Sequence, residues 1–150
     1  MIQRIQTLYL FAAFVLCLGC LCTPIAHFMP SDGGYMVNMY NLWFVSEDMF
    51  RYCFVLFGIL VIATAAAFID IWLYKRRALQ MRIATFCMIL LVAWYIIYGI
   101  YCYTFSAEMQ ASWRPHWTAA LPFAAFILLY LAFRGILKDE MLVRSLDRLR

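Results

Sequence analysis

The sequence predicts an all-α protein, a four-helix transmembrane bundle with both termini in the cytoplasm. Three observations support this fold class: a very apolar composition, four apolar stretches of membrane-spanning length, and basic residues gathered on one side of those stretches. Of the 150 residues, 67% are hydrophobic and only 13% are charged, and the mean hydropathy is +0.83. In soluble domains about a quarter of the residues are charged. The composition is that of a single integral membrane domain.

Four apolar stretches are long enough to cross a hydrocarbon core, which takes roughly 20 helical residues. Only helices are expected in them, because lipid requires each backbone group to be paired within its own segment, and strand-like alternation is absent. They cover approximately residues 7–28, 52–73, 83–105 and 117–137.

The basic residues predict the orientation. Ten of the 12 Lys and Arg residues lie at the N-terminus, between the second and third stretches, or at the C-terminal end, which leaves Arg51 and Arg114 for the opposite side. Since short cytoplasmic segments are enriched in Lys and Arg, both termini and the central loop are predicted to be cytoplasmic. The first stretch is interpreted as a retained span, because the apolar run continues past Cys20 without a small-residue cleavage site.

The loop after the first stretch is the one region that departs from plain helix. Asp32-Gly33-Gly34 marks a turn, and residues 35–45 are rich in aromatic and β-branched types, so a short strand or hairpin is one interpretation. Aromatic side chains at this depth are also typical of the belt at a membrane interface, which is the interpretation we favour.

The polar tail, residues 138–150, is predicted to continue the fourth helix beyond the membrane. Leu142 and Leu146 share one helical face, and Glu140 precedes Arg144 at the favourable i, i+4 spacing. Such an amphipathic tail either lies on anionic lipid or docks onto a partner, and the pattern fits both.

Cysteines are the most suggestive chemical feature. Cys17 and Cys20 form a C-x-x-C, and together with Cys53 and Cys102 they fall in the outer half of the predicted bundle. Such thiols suggest a membrane thiol oxidoreductase that works with a quinone. Neither outer loop contains a cysteine, so a soluble partner would reach them poorly, and cysteines also pack as small hydrophobic residues. Packing is the favoured interpretation, and redox chemistry is the alternative.

Three further polar residues lie in or near the stretches. His27 and His116 fall on the outer side and could bind a haem or a metal if the first and fourth helices are neighbours, but the sequence places no carboxylate beside them. Asp70 is interpreted as part of an interfacial ion pair with Lys75 rather than a proton path. A lipid-binding or small-solute transport role has only Asp70 and Pro122 to support it.

Three segments resemble the signature stretches of a known family. They are QRIQTLYL (residues 3–10), KRRALQMR (residues 75–82) and DEMLVRSLDRLR (residues 139–150). The family is an uncharacterised domain-of-unknown-function family of small four-span inner-membrane proteins from Bacteroidota, and the resemblance covers the whole chain. It implies a bacterial inner-membrane location and no particular activity. Because all three segments fall on the predicted cytoplasmic face, a functional surface there is favoured.

These observations predict a non-catalytic subunit, scaffold or docking element of a larger membrane assembly. The expected partners are the lipid bilayer and another membrane or cytoplasmic protein, or further copies of the chain. Basic residues at helix ends are explained by orientation and lipid headgroups, which argues against nucleic acid. No nucleophile, base and oxyanion arrangement is evident, so no catalytic residue, metal ligand or cofactor is predicted. The predicted partner-binding residues are Gln3, Arg4, Gln6, Arg77, Gln80, Asp139, Arg144, Asp147 and Arg148.

Overall fold

Four long helices dominate the structure, a computed structural model that describes residues 2–30, 35–45, 50–73 and 76–147. All four are long and apolar enough to cross a membrane, which is the signature of a membrane protein. A short 3₁₀ turn, Trp117–Ala120, leads into the last of them. The helices are α1 (Ile2–Cys22), α2 (Phe54–Trp72), α3 (Arg77–Met109) and α4 (Leu121–Asp147).

Each helix corresponds to one of the four predicted stretches, but the ends differ. α1 stops at Cys22, six residues before the predicted end, because the chain there turns into a strand. α3 is longer than its apolar stretch at both ends, and α4 continues without a break into the polar tail.

The helices form a ring in which α1 packs against α2 and α4, and α3 packs against the same two neighbours. The buried positions of α3 recur at alternating spacings of three and four residues, as in Leu91, Trp94 and Tyr98. This spacing places the buried residues of α3 on one stripe, which faces the bundle core. The opposite faces are also apolar, with Leu8 and Ile96 well exposed, so these helices are hydrophobic all round, as helices in lipid are.

The fold is not all-α, and that prediction was wrong. Within the described residues, five short strands form one antiparallel sheet in the order β4-β3-β2-β1-β5. The interpretation of residues 35–45 that we ranked second, a strand or hairpin, is confirmed by β2 and β3. The strands are β1 (Ala26–Pro30), β2 (Val37–Met39), β3 (Trp43–Val45), β4 (Phe50–Tyr52) and β5 (Ala111–Pro115).

The sheet is fastened to the bundle by aromatic packing. Phe28 of β1 and Phe44 of β3 are fully buried, with ring centroids 5.3 Å apart, and Phe44 stacks on Phe105 of α3 at 4.7 Å. Because strand side chains alternate between faces, His27 and Met29 point to the other side of β1. We call this the sheet end of the bundle, and the opposite end, where α1 and α3 begin and α2 and α4 end, the termini end.

Candidate functional site

Polar side chains from all four helices are brought together at the termini end. Gln6 of α1, Asp70 of α2 and Gln80 of α3 are buried, with at most 7% of each exposed. The Gln6 Nε2 donates a hydrogen bond to Asp139 Oδ2 of α4 at 2.8 Å. Residues 6 and 139 lie near opposite ends of the chain. Their hydrogen bond therefore joins the beginning of α1 to the last part of α4.

Gln6 fits against α4 because position 135 is a glycine. A Cβ atom at Gly135 would lie 3.1 Å from Gln6 Cγ and 3.2 Å from Gln6 Nε2, which is tighter than an ordinary contact. The missing side chain lets Gln6 lie close to the backbone of α4, one helical turn before Asp139. Glycine at 135 therefore positions the Gln6–Asp139 hydrogen bond.

Asp70 has an unusual environment. Its side chain is completely buried, and neither carboxylate oxygen has a hydrogen-bond partner. The nearby Gln80 Nε2 donates instead to the Asp70 backbone oxygen at 3.3 Å. Lys75, the predicted ion-pair partner of Asp70, lies outside the described residues.

The other predicted partner-binding residues fall into two groups. Arg77 begins α3 and is partly exposed. The side chains at positions 3, 4, 144 and 147, and the whole of residue 148, lie outside what the structure describes. Gln6 and Gln80 are buried within this chain, and Asp139 accepts the hydrogen bond of Gln6.

A groove of about 590 Å³ opens between α3 and α4 at the termini end. Arg82 and Glu140, with opposite charges, stand among otherwise apolar and small side chains. Sequence reasoning missed this groove, because it exists only where α3 and α4 lie side by side. Its lining residues are Ala78, Met81, Arg82, Thr85, Phe86, Ile89, Phe133, Leu137, Glu140 and Met141.

The cysteines of the redox alternative are all free thiols and all buried. Cys17, Cys20, Cys53 and Cys102 are at most 1% exposed. Burial raises the pKa of the Cys53 thiol, which precedes α2, to about 11. Since the thiolate is the reactive form and needs access to its partner, this environment counts against redox chemistry at these residues.

The two histidines do meet, at the sheet end. Their ring centroids are 4.7 Å apart and the rings are nearly perpendicular, at 88°. The condition set by the sequence, that the first and fourth helices be neighbours, is met. Within the described residues, no group of three or more His, Cys, Asp and Glu side chains surrounds a common point.

By their length and composition, the four long apolar helices indicate a membrane protein, and a small antiparallel sheet lies at one end of them. Residues 2–149 match the family described as Domain of unknown function (DUF4293), so the chain belongs to this family. The resemblance to an uncharacterised family is confirmed to that extent. No curated protein matches the chain.

Proposed function

We propose that this protein is a non-catalytic docking subunit of a bacterial inner-membrane assembly, with the termini end in the cytoplasm. The distribution of basic residues supports this orientation, because ten of the 12 Lys and Arg residues then lie on the cytoplasmic side. The sheet end, which carries Arg51 and Arg114, faces the opposite compartment.

The observation that carries the proposal is the groove between α3 and α4. On α3, Ala78, Arg82 and Thr85 follow one another at i, i+4 and i+7, so they share one face of the helix. On α4, Phe133, Leu137 and Glu140 repeat the same spacing. The two helices lie side by side and run antiparallel, and the groove between these faces is a site where a third helix can pack.

The groove best fits a transmembrane helix of another membrane protein. Small side chains at Ala78 and Thr85 allow a partner backbone to approach closely, which is how helices associate in lipid. Arg82 and Glu140 add one charge of each sign near the cytoplasmic mouth, which favours a partner with complementary charges and sets its register.

Two further features support docking at this end. The Gln6–Asp139 hydrogen bond holds α4 in place, so the groove is formed before a partner arrives and less ordering entropy is lost on binding. The exposed Met141 lies at the end of the groove, and beyond it α4 continues to Asp147 with Leu142 also exposed. They lengthen the apolar contact surface toward the cytoplasm.

Filling the groove tests the proposal. The chain is purified from its own membrane in mild detergent, with and without Thr85→Trp, and bound proteins are identified by native mass spectrometry. We expect the wild-type chain to retain a second membrane protein and Thr85→Trp to weaken this binding at least about fivefold, since one misfitted interface side chain costs about 1–3 kcal/mol.

The matched control is Ile96→Trp, which adds a Trp at an exposed position of the same helix outside the groove. It should leave the complex intact. A wild-type chain that emerges alone, only as copies of itself, or with a partner that survives Thr85→Trp would contradict docking in this groove.

A further inference from the structure

The histidine pair at the sheet end is built by the β1–β5 pairing. His27 is the second residue of β1, and His116 directly follows β5 and is the N-cap of the 3₁₀ turn. Ala26 lies opposite Pro115 in this ladder, and the His116 backbone N–H donates to the Ile25 carbonyl oxygen at 3.0 Å. The backbone therefore holds the two imidazoles side by side, independently of the docking groove at the other end.

The hydrogen bond of His27 indicates which of its ring nitrogens is free. Nδ1 lies 2.6 Å from Asn38 Oδ1 on the neighbouring strand. Because an amide oxygen only accepts hydrogen bonds, we assign the proton to Nδ1, which leaves the lone pair on Nε2.

His116 has the same arrangement. Its Nδ1 lies 2.8 Å from Thr118 Oγ1, and the Thr118 hydroxyl donates its proton to the Pro24 carbonyl oxygen. The hydroxyl oxygen is thus an acceptor, and Nδ1 is the donor. The Thr118 backbone N–H also lies 3.4 Å from Nδ1 and would favour the opposite tautomer, but this longer contact is the weaker one. Both rings then carry their lone pairs on Nε2.

The ring separation fits one metal ion held by both Nε2 atoms. A metal bound about 2.1 Å from a ring nitrogen lies about 3.2 Å from the ring centroid. The two ring centroids are 4.7 Å apart. If each lies about 3.2 Å from the ion, the angle between the two centroids at the ion is about 95°. This is close to the right angle between adjacent ligands in a tetragonal site. Axial ligands on opposite faces of a haem need centroids about 6.4 Å apart, so the pair does not fit a haem.

We propose that His27 and His116 bind one divalent transition-metal ion through Nε2, with Cu²⁺ preferred. Two imidazoles at a right angle suit Cu²⁺, which also binds nitrogen ligands most tightly among the divalent first-row metals. Asn38 and Thr118 are positioning residues, since they hold the rings in the ligating tautomer. Water or a further ligand completes the coordination.

Arg114 provides an internal electrostatic control. It lies directly opposite His27 in the β1–β5 ladder, and cross-strand partners point to the same face of a sheet. Its positive charge opposes a bound cation, so Arg114→Gln should tighten metal binding about threefold to tenfold. A metal bound elsewhere would not respond.

The experiment uses the full chain, purified in detergent with a tag that contains no histidine. Because the chain has only two histidines, any imidazole coordination of Cu²⁺ must come from this pair. Electron paramagnetic resonance of the wild type with one equivalent of Cu²⁺ should show splitting from two imidazole nitrogens. The spectrum should not change with protein concentration, since both ligands lie in one chain.

Binding titrations of Cu²⁺ to variants complete the test. His27→Ala and His116→Ala should each weaken binding more than Asn38→Ala, for which a loss of roughly 10-fold is expected because a supporting partner of a metal ligand is removed. A wild-type spectrum with one imidazole nitrogen or none would overturn the proposal, whether or not the variants fold. Equal affinity in wild type and folded single-histidine variants would overturn it as well.

Discussion

At the sheet end every buried polar side chain that the structure describes is hydrogen-bonded, whereas at the termini end a buried carboxyl group is not. Asn41 is completely buried, donates to the Cys20 carbonyl oxygen at 2.6 Å and accepts from Trp94 Nε1 at 3.0 Å. Asp70 is equally buried and has no such partner. Satisfied buried networks make a structure rigid and specific, whereas a buried polar group without a partner costs free energy.

The two ends of the bundle have different roles. The sheet end joins helices and strands through Asn41, Trp94 and Tyr98, whose hydroxyl donates to the Ile25 carbonyl oxygen at 3.0 Å. It acts as the rigid frame that holds the histidine pair. At the termini end the Gln6–Asp139 hydrogen bond holds α1 against α4, beside the groove proposed to receive a partner helix.

Removal of Asn41 should have the largest effect. Asn41→Ala leaves both the Trp94 indole N–H and the Cys20 carbonyl oxygen buried without their partner, and each unsatisfied group costs about 1–3 kcal/mol. We expect unfolding in detergent to become easier by about 2–4 kcal/mol. The control is Thr104→Ala, which removes only a bond within α3 on an exposed surface. Similar losses for the two variants would show that the Asn41 network does not hold the sheet end together.

Replacement of Asp70 should act in the opposite direction. Asp70→Asn keeps the size of the side chain but replaces a buried ionisable carboxyl group that has no partner with a neutral amide, which costs less to bury, so the free energy of unfolding should rise by about 1–2 kcal/mol. Thermal unfolding of the two chains in the same detergent measures this change. A clear fall in stability would mean that the two ends are equally well satisfied and would remove the contrast between them.

Gly135→Ala should have the smallest effect. The new methyl group meets the end of the Gln6 side chain, which moves and weakens its bond to Asp139, at a cost of about 1 kcal/mol. The matched background is Gln6→Ala, in which the same substitution should cost little or nothing. Additive effects in this double-mutant cycle would show that Gly135 and Gln6 do not act together.

Features that depend on local sequence patterns were predictable, and features that depend on distant residues were not. The apolar stretches of α2 and α3 and the continuation of α4 are evident because hydrophobicity and helical periodicity are local. Gln6, Gln80 and Asp139 were singled out from the sequence as part of a polar cluster, but the burial of the two glutamines and the Gln6–Asp139 bond were not foreseen. The five-stranded sheet was not predicted. β2, β3 and β4 are each three residues long, which is too short to show an alternation of apolar and polar residues, and β5 belongs to a loop far away in the chain.

By itself the sequence determined the number of long apolar helices, their approximate positions and the side on which basic residues collect, since each depends on neighbouring residues along the chain. Only the tertiary structure decided the five-stranded sheet, the α3–α4 groove and the meeting of His27 with His116. Those features depend on distances between residues far apart in the chain, and packing and strand pairing set these distances.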